Sequence, residues 1–95
     1  MFVIRSFRNA DTESLFLQRR VRAIGPQVAR AALRKLLMLS AASRIDDLRV
    51  PPGNRLELLK GARAGQWSIR VSDQWRLCFR WRADGAHDVE LTDYH

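Results

Sequence analysis

The chain of 95 residues, 46% of them hydrophobic, makes one domain with one modest core, spanning residues 1–95 and leaving no room for a second. Its single cysteine, Cys78, has no partner for a disulfide and no company for a thiolate metal site, which suits a reducing cytoplasm. No apolar run approaches the roughly 18 residues of a membrane span, and the opening Met1-Phe2-Val3-Ile4-Arg5 is too soon charged for a signal peptide. A net charge of +7 points to a polyanion, and its placement is uneven: residues 1–44 hold nine Arg or Lys against Asp11 and Glu13, whereas from residue 45 onward eight basic residues meet eight acidic ones.

Taken in order, Met1 to Phe7 alternates weakly and reads as a short first strand. Asn9 or Asp11 can cap a helix over about Thr12 to Ala23, with Leu15, Phe16 and Ile24 on its buried side and Arg19, Arg20 and Arg22 near its end. Gly25-Pro26 breaks the chain, and proline in a first turn starts a second helix through about Ala42. Val28, Ala29, Ala32, Leu33, Leu36, Leu37 and Met38 form its apolar stripe, leaving Arg30, Arg34 and Lys35 largely outside. From Ser43 to Asn54 the pattern dissolves around Asp46-Asp47, Pro51-Pro52 and Gly53, which predicts a loop. Arg55 to Leu59 reads as a strand ending at Lys60-Gly61, and Ala62 to Gly65 as a link.

The clearest period of two runs from Gln66 to Trp81. Trp67, Ile69 and Val71 alternate with Gln66, Ser68 and Arg70, and Trp75, Leu77, Phe79 and Trp81 alternate with Arg76, Cys78 and Arg80, which predicts a β-hairpin with one apolar and one arginine-rich face. Residues facing each other across an antiparallel pair share a side of the sheet, so a two-residue loop, which would set Val71 against Gln74, fails. The three-residue loop Ser72-Asp73-Gln74 sets Val71 opposite Trp75 and Ile69 opposite Leu77, with Asp73 or Gln74 expected in the left-handed region. It also sets Arg70 opposite Arg76, an arrangement that calls for an anion. After a turn at Asp84-Gly85, His87 to Thr92 forms the last strand with Val89 and Leu91 inward. The order β-α-α-β-β-β predicts an α+β fold, an antiparallel sheet with two N-terminal helices on its apolar face.

If Val89 and Leu91 point inward, Asp88, Glu90, Thr92 and Tyr94 point to the arginine side. Matching faces permits two registers, one placing Arg80 opposite Asp88, the other Arg80 opposite Glu90 and Arg76 opposite Tyr94. Either way one face collects Lys60, Arg70, Arg76, Arg80 and Tyr94, with Asp93 and His95 nearby. No Ser-His-Asp order, metal-ligand cluster or glycine-rich phosphate loop accompanies them. These groups suit RNA cleavage by its own 2′-hydroxyl, which needs a base, cations for the charge building on phosphorus and an acid for the departing 5′-oxygen.

Arg55-Leu56-Glu57-Leu58-Leu59-Lys60-Gly61, then Gly65-Gln66-Trp67-Ser68-Ile69, then Gln74-Trp75-Arg76-Leu77-Cys78-Phe79, and finally Asp93-Tyr94-His95, taken in that order over essentially the whole chain, closely resemble the HigB-type toxins of the RelE/ParE superfamily. The resemblance implies a cytoplasmic, ribosome-dependent mRNA endonuclease that needs no cofactor or metal. It also implies a helix-turn-helix antitoxin of the HigA type as partner, DNA reached only through that antitoxin complex, and action at the A site of the small ribosomal subunit. By position it implies catalytic roles for Lys60, Arg76, Asp93, Tyr94 and His95; Arg70, Gln74 and Arg80 are expected as substrate contacts. Lys60 and Arg76 are expected on the scissile phosphate, Tyr94 on the substrate by stacking or hydrogen bonding, and Asp93 with His95 at the proton transfers. Glu57 stands where some relatives carry histidine, which leaves the division of acid and base roles open. The basic helices are expected to meet ribosomal RNA or an acidic partner. The rival readings are a non-catalytic toxin of the same fold acting on DNA gyrase and a small RNA-binding module.

Overall fold

In the computed structural model, which describes residues 4–94, Asn9 caps the first helix. Its Oδ1 accepts hydrogen bonds from the Thr12 backbone N–H at 2.9 Å and the Thr12 hydroxyl at 2.8 Å, satisfying a donor that the first turn leaves open. The helix α1 runs only Ala10–Phe16, well short of Ala23. Gln18 adopts φ 61°, and the Arg19 N–H donates to the Ser14 carbonyl at 2.8 Å while that of Gln18 donates to Leu15 at 3.1 Å. This pair of bonds is the Schellman closure of a helix. Val21 and Ile24 still face the interior from the coil beyond, so their spacing imitates a longer helix.

Pro26 opens α2, Pro26–Ala41, as expected. Ala32, Leu36, Leu39 and Ser40 are its buried positions, whereas Leu37, expected inside, is 48% exposed. At about 100° per residue Leu37 lies roughly a third of a turn off the line through Ala32, Leu36 and Leu39. Residues 43–54 are not a plain loop but two short 3-10 turns, Ile45–Arg49 and Pro52–Asn54, which bury Leu48 and Asn54 completely. The Asn54 amide donates to the Leu48 carbonyl at 3.1 Å, and its Oδ1 accepts from Lys35 Nζ at 2.6 Å. A polar side chain enters the interior here because each end finds a partner.

Four strands follow, β1 Glu57–Leu58, β2 Trp67–Arg70, β3 Trp75–Arg82 and β4 Gly85–Asp93, in spatial order β1-β2-β3-β4 and antiparallel throughout. The strand expected from Arg55 shrinks to two residues because Arg55 itself turns left-handed at φ 47°. The hairpin takes the expected register, Ile69 opposite Leu77 and Arg70 opposite Arg76. Its loop differs, for neither Asp73 nor Gln74 has a positive φ. Ser72 Oγ instead accepts the Trp75 N–H at 3.3 Å, and the Trp75 carbonyl accepts both the Val71 and Ser72 N–H groups at 2.9 and 3.1 Å.

Between β3 and β4 the register begins as the first of the two expected, with Arg76 opposite Thr92 and Cys78 opposite Glu90, but a bulge then brings Arg80 opposite His87 rather than Asp88. The cause is the N-terminal segment. The Val89 N–H donates to the Ser6 carbonyl at 3.1 Å, the Val89 carbonyl accepts from Arg8 at 3.0 Å, and the Asp88 N–H donates to Ser6 Oγ at 2.9 Å. With these groups turned away from β3, Asp88 moves to φ 53° and the pairing slips by one. The expected first strand is thus two isolated parallel bridges, Ile4 to Ala86 and Phe7 to Val89, and its first three residues lie outside those described.

The α+β architecture is as expected: α1 packs on α2 and β4, and α2 on β3 and β4. Leu36, Leu39, Leu48, Ile69, Leu77, Phe79 and Val89 are fully buried between helices and sheet, each side chain contributing about 1.5–3 kcal/mol by leaving water. This layer frees the other face of the sheet for polar groups. No helix among the described residues is long and apolar enough to cross a membrane.

Candidate functional site

Strand alternation places Ser68 and Arg70 of β2, Arg76, Cys78 and Arg80 of β3, and Glu90 and Thr92 of β4 on the face away from the helices. Ser68 and Cys78 are fully buried there, so this face is more than a bare sheet surface. The cover comes partly from the turn after β1. Gly61 at φ 67° starts the 3-10 turn Gly61–Arg63, and Gly65 at φ 89° ends the crossing. The turn leans over the sheet far enough for Arg63 Nη1 to reach Gln66 Oε1 at 3.1 Å and Glu90 Oε1 on the distant β4 at 3.3 Å. A Cβ on Gly65 would stand 2.9 Å from the Arg80 guanidinium, so the missing side chain lets Arg80 lie across the link.

Arg76 is the best-anchored cation of the face. Its Nε donates to Ser68 Oγ at 2.9 Å, its Nη2 to the Arg55 carbonyl at 2.8 Å, and its guanidinium stands 5.8 Å from the centre of the Tyr94 ring. All these partners are neutral. Its position is fixed while its charge stays uncompensated, the condition for receiving an anion. Other arginines are answered: Arg70 by Asp73, Arg63 and Arg8 by Glu90, and Arg80 by Asp88 at 3.9 Å. Lys60, two residues beyond the end of β1 and exposed, has no carboxylate partner among the described residues.

Tyr94 is tied to the hairpin loop by its N–H, which donates to the Gln74 carbonyl at 2.6 Å. Burial, followed by the neighbouring Cys78 thiol, holds its hydroxyl above the ordinary tyrosine range against the opposing pull of Arg63 and Arg76. At neutral pH it is therefore a phenol, able to donate a proton or hydrogen bond. Asp93 pairs opposite Trp75, so alternation sets it on the other side of the sheet from Thr92 and Arg76; its Oδ2 accepts from Gln74 Nε2 at 3.2 Å. His87 lies 2.6 Å from Asp84 in the turn at the far end of β4. His95 lies outside the described residues.

Of the expected site residues, the structure brings Arg70, Arg76 and Tyr94 together, with Arg80 further along β3. Gln74 sits at the rim, where its amide donates to Asp93. Sequence reading passed over Arg63, Ser68 and Glu90 as working parts of the face. Ser68 and Glu90 lie in line across Cys78, and the hairpin register alone marks Ser68 as a neighbour of Arg76. Nothing in the link from Ala62 to Gly65 signals that Arg63 crosses the sheet.

The family described as "RelE-like toxin of type II toxin-antitoxin system HigB" matches residues 5–95. Toxin HigB-1 of Vibrio cholerae serotype O1 is 49% identical over 76 residues, covering 80% of this chain and 76% of its own. An uncharacterized protein of Haemophilus influenzae is 33% identical over 93 residues, 98% of this chain and 84% of its own. Endoribonuclease HigB of Proteus vulgaris is 29% identical over 93 residues, 98% of this chain and 100% of its own.

Proposed function

Because this chain belongs to the RelE-like HigB toxins of type II toxin-antitoxin systems, we propose that it is an endoribonuclease that cuts messenger RNA on the ribosome. The observation that carries this reading is Arg76, held by neutral acceptors beside a protonated Tyr94 with its positive charge unspent. The Proteus vulgaris relative is named an endoribonuclease, in agreement with this reading.

In this mechanism the RNA supplies its own nucleophile. The 2′-oxygen forms a bond to the adjacent phosphorus as the bond to the 5′-oxygen breaks, leaving a cyclic phosphate on one fragment and a 5′-hydroxyl on the other. One proton leaves the 2′-hydroxyl for a base and another reaches the 5′-oxygen from an acid. Arg76 and Lys60 hold the non-bridging oxygens, where negative charge grows in the transition state. Arg70 and Arg80 contact flanking phosphates, and Gln74 lines the rim. Tyr94 stacks on a base or donates its hydroxyl hydrogen bond, and His95, of the residue type that titrates near neutrality, exchanges protons. Asp93 supports these groups through Gln74. The reaction belongs in the cytoplasm, where ribosomes and message meet, and the antitoxin that the family implies is of the helix-turn-helix HigA type.

The ribosome enters because the basic helical half offers a salt-sensitive surface for structured RNA that reads no sequence. Primer extension on a purified message with and without translating ribosomes tests the reading. The expected result is cuts in phase with codons that vanish when ribosomes are withheld. Equal cutting of naked message would refute the ribosome's part, and no cutting in either case would refute the nuclease.

A further inference from the structure

The turn that leans over the polar face has little of its own to hold it there. Every one of residues 60–65 except Arg63 is exposed, so no apolar side chain packs the segment against the sheet. Its base is closed by the bond from the Leu59 N–H to the Gln66 carbonyl at 2.8 Å. Within it the Ala64 and Gln66 N–H groups each donate at 3.0 Å, to the Gly61 and Arg63 carbonyls. These bonds set the shape of the turn but not its lean, and glycines at positions 61 and 65 leave both ends free to swivel. The tie to the sheet is Arg63, whose Nη1 lies 3.3 Å from Glu90 Oε1, the two side chains 31% and 19% exposed. Glu90 stands opposite Cys78, which in turn stands opposite Ser68, the residue that holds Arg76. The Arg63 charge also reaches the Tyr94 hydroxyl. The ion pair therefore lies within the site and not at its periphery.

We infer that Arg63 and Glu90 are positioning residues for the proposed cleavage: their ion pair pins the turn against β4 and so holds Lys60, the residue that enters the turn, where it meets the phosphate. This rests on the reading of Lys60 and Arg76 as the phosphate-binding cations. Magnitudes explain the use of such a pair. A half-exposed ion pair adds little to folding, whereas displacing a catalytic group by about 1 Å costs on the order of 10²-fold in rate. One bond can thus matter little to stability and much to the reaction. Arg8 reaches the same carboxylate at 3.7 Å, but it comes from the N-terminal segment and leaves the turn untouched.

The test is the single-turnover cleavage rate of ribosome-bound message at saturating toxin, with melting temperatures measured alongside. Arg63→Gln and Glu90→Gln should each slow cleavage about tenfold or more at nearly wild-type melting temperature, and the two together should lose no more than either alone. Arg8→Ala should cleave at the wild-type rate. Lys60→Ala should cost at least about tenfold less in the Arg63→Gln background than in wild type, because the lysine there is already displaced. The Ala64 and Gln66 amides should exchange hydrogen faster in both single variants while those of β2 and β3 keep their protection. Where Arg63→Gln fails to fold, Glu90→Gln carries the same comparisons. Slowing by Arg63→Gln without slowing by Glu90→Gln would mean that Arg63 meets the RNA itself, and overturns the inference. So do equal slowing by Arg8→Ala, an undiminished cost of Lys60→Ala, and wild-type rates in both single variants. Wild-type protein that does not cleave refutes the proposed function and this inference with it, whereas cleavage weakened by Lys60→Ala but not by Arg63→Gln refutes the inference alone.

Discussion

At the level of single residues, a cation that is neutralised differs from one that is merely held. Arg76 is held, through Ser68 Oγ and the Arg55 carbonyl. Ser68→Ala removes one support without touching the reacting atoms, so it should slow single-turnover cleavage about tenfold with little change in ribosome affinity, as small misplacements of a catalytic group do. A wild-type rate for this variant would show that Arg76 does not depend on that support. Tyr94 makes a different prediction. Its hydroxyl is kept protonated above the ordinary tyrosine range, first by burial and then by Cys78, so it does not ionise between about pH 6 and 8.5. Tyr94→Phe should therefore lower the rate without moving the midpoints of the pH–rate profile there; a shifted limb would mean that the phenolate takes part as a base. Arg76 and Tyr94 were both legible in the sequence, because period-two alternation alone assigns them to the polar face. Asp93 is placed otherwise by the same alternation, one residue out of phase with Tyr94, and Arg63 was hidden because the lean of the Gly61–Arg63 turn follows from two glycines in positive φ and not from a pattern.

At the scale of elements, the hairpin was readable down to its register, since any other pairing turns apolar side chains onto the polar face. What escaped were features set by distant chain. The bulge at Asp88 arises where residues 6 and 8 compete for the backbone of Val89, some eighty residues away in sequence; the early end of α1 rests on Gln18 adopting a conformation its residue type does not announce. Two substitutions in α2 separate packing from polarity. Leu36 is fully buried in the core, and Leu36→Ala should destabilise the protein by about 2–5 kcal/mol in denaturant unfolding. Ser40, equally buried, has a hydroxyl with no hydrogen-bond partner among the described residues, so Ser40→Ala should be neutral or stabilising by up to about 1 kcal/mol. A clear loss of stability in Ser40→Ala would show that the hydroxyl is satisfied. The turn before β4 has its own signature. The hydrogen bond from His87, with the His87 charge and Arg5 adding to it, depresses the Asp84 carboxyl below its ordinary value. A depressed folded-state value contributes stability above the ordinary carboxylate range that is lost as pH falls through the folded value. His87→Ala should flatten the acid limb of the stability–pH curve; an unaltered acid limb would mean that Asp84 does not depend on His87.

At the scale of the whole molecule, two layers divide the labour. The helices cover the apolar side of the sheet and concentrate positive charge, while the opposite side carries cations, a phenol and the ion pairs that sort them. The division was visible in the sequence as nine basic residues against two acidic ones in residues 1–44 and an even balance thereafter. The sorting of the polar face was not, because whether an arginine is answered by Glu90 or left open depends on three-dimensional reach that no spacing encodes. In the proposed reaction Arg76, held on that face by neutral partners, and Lys60, exposed beyond β1, stabilise the breaking phosphodiester, neither having a carboxylate partner among the described residues. The direct measurement is the single-turnover cleavage rate of ribosome-bound message for wild type, Arg76→Ala, Lys60→Ala and Arg76→Lys at matched occupancy. The expected losses are about 10²–10³-fold for each alanine variant, with partial recovery in Arg76→Lys, where a point charge replaces a two-pronged donor. Alanine variants that fold, bind the ribosome and cleave at the wild-type rate would contradict this role of the two cations.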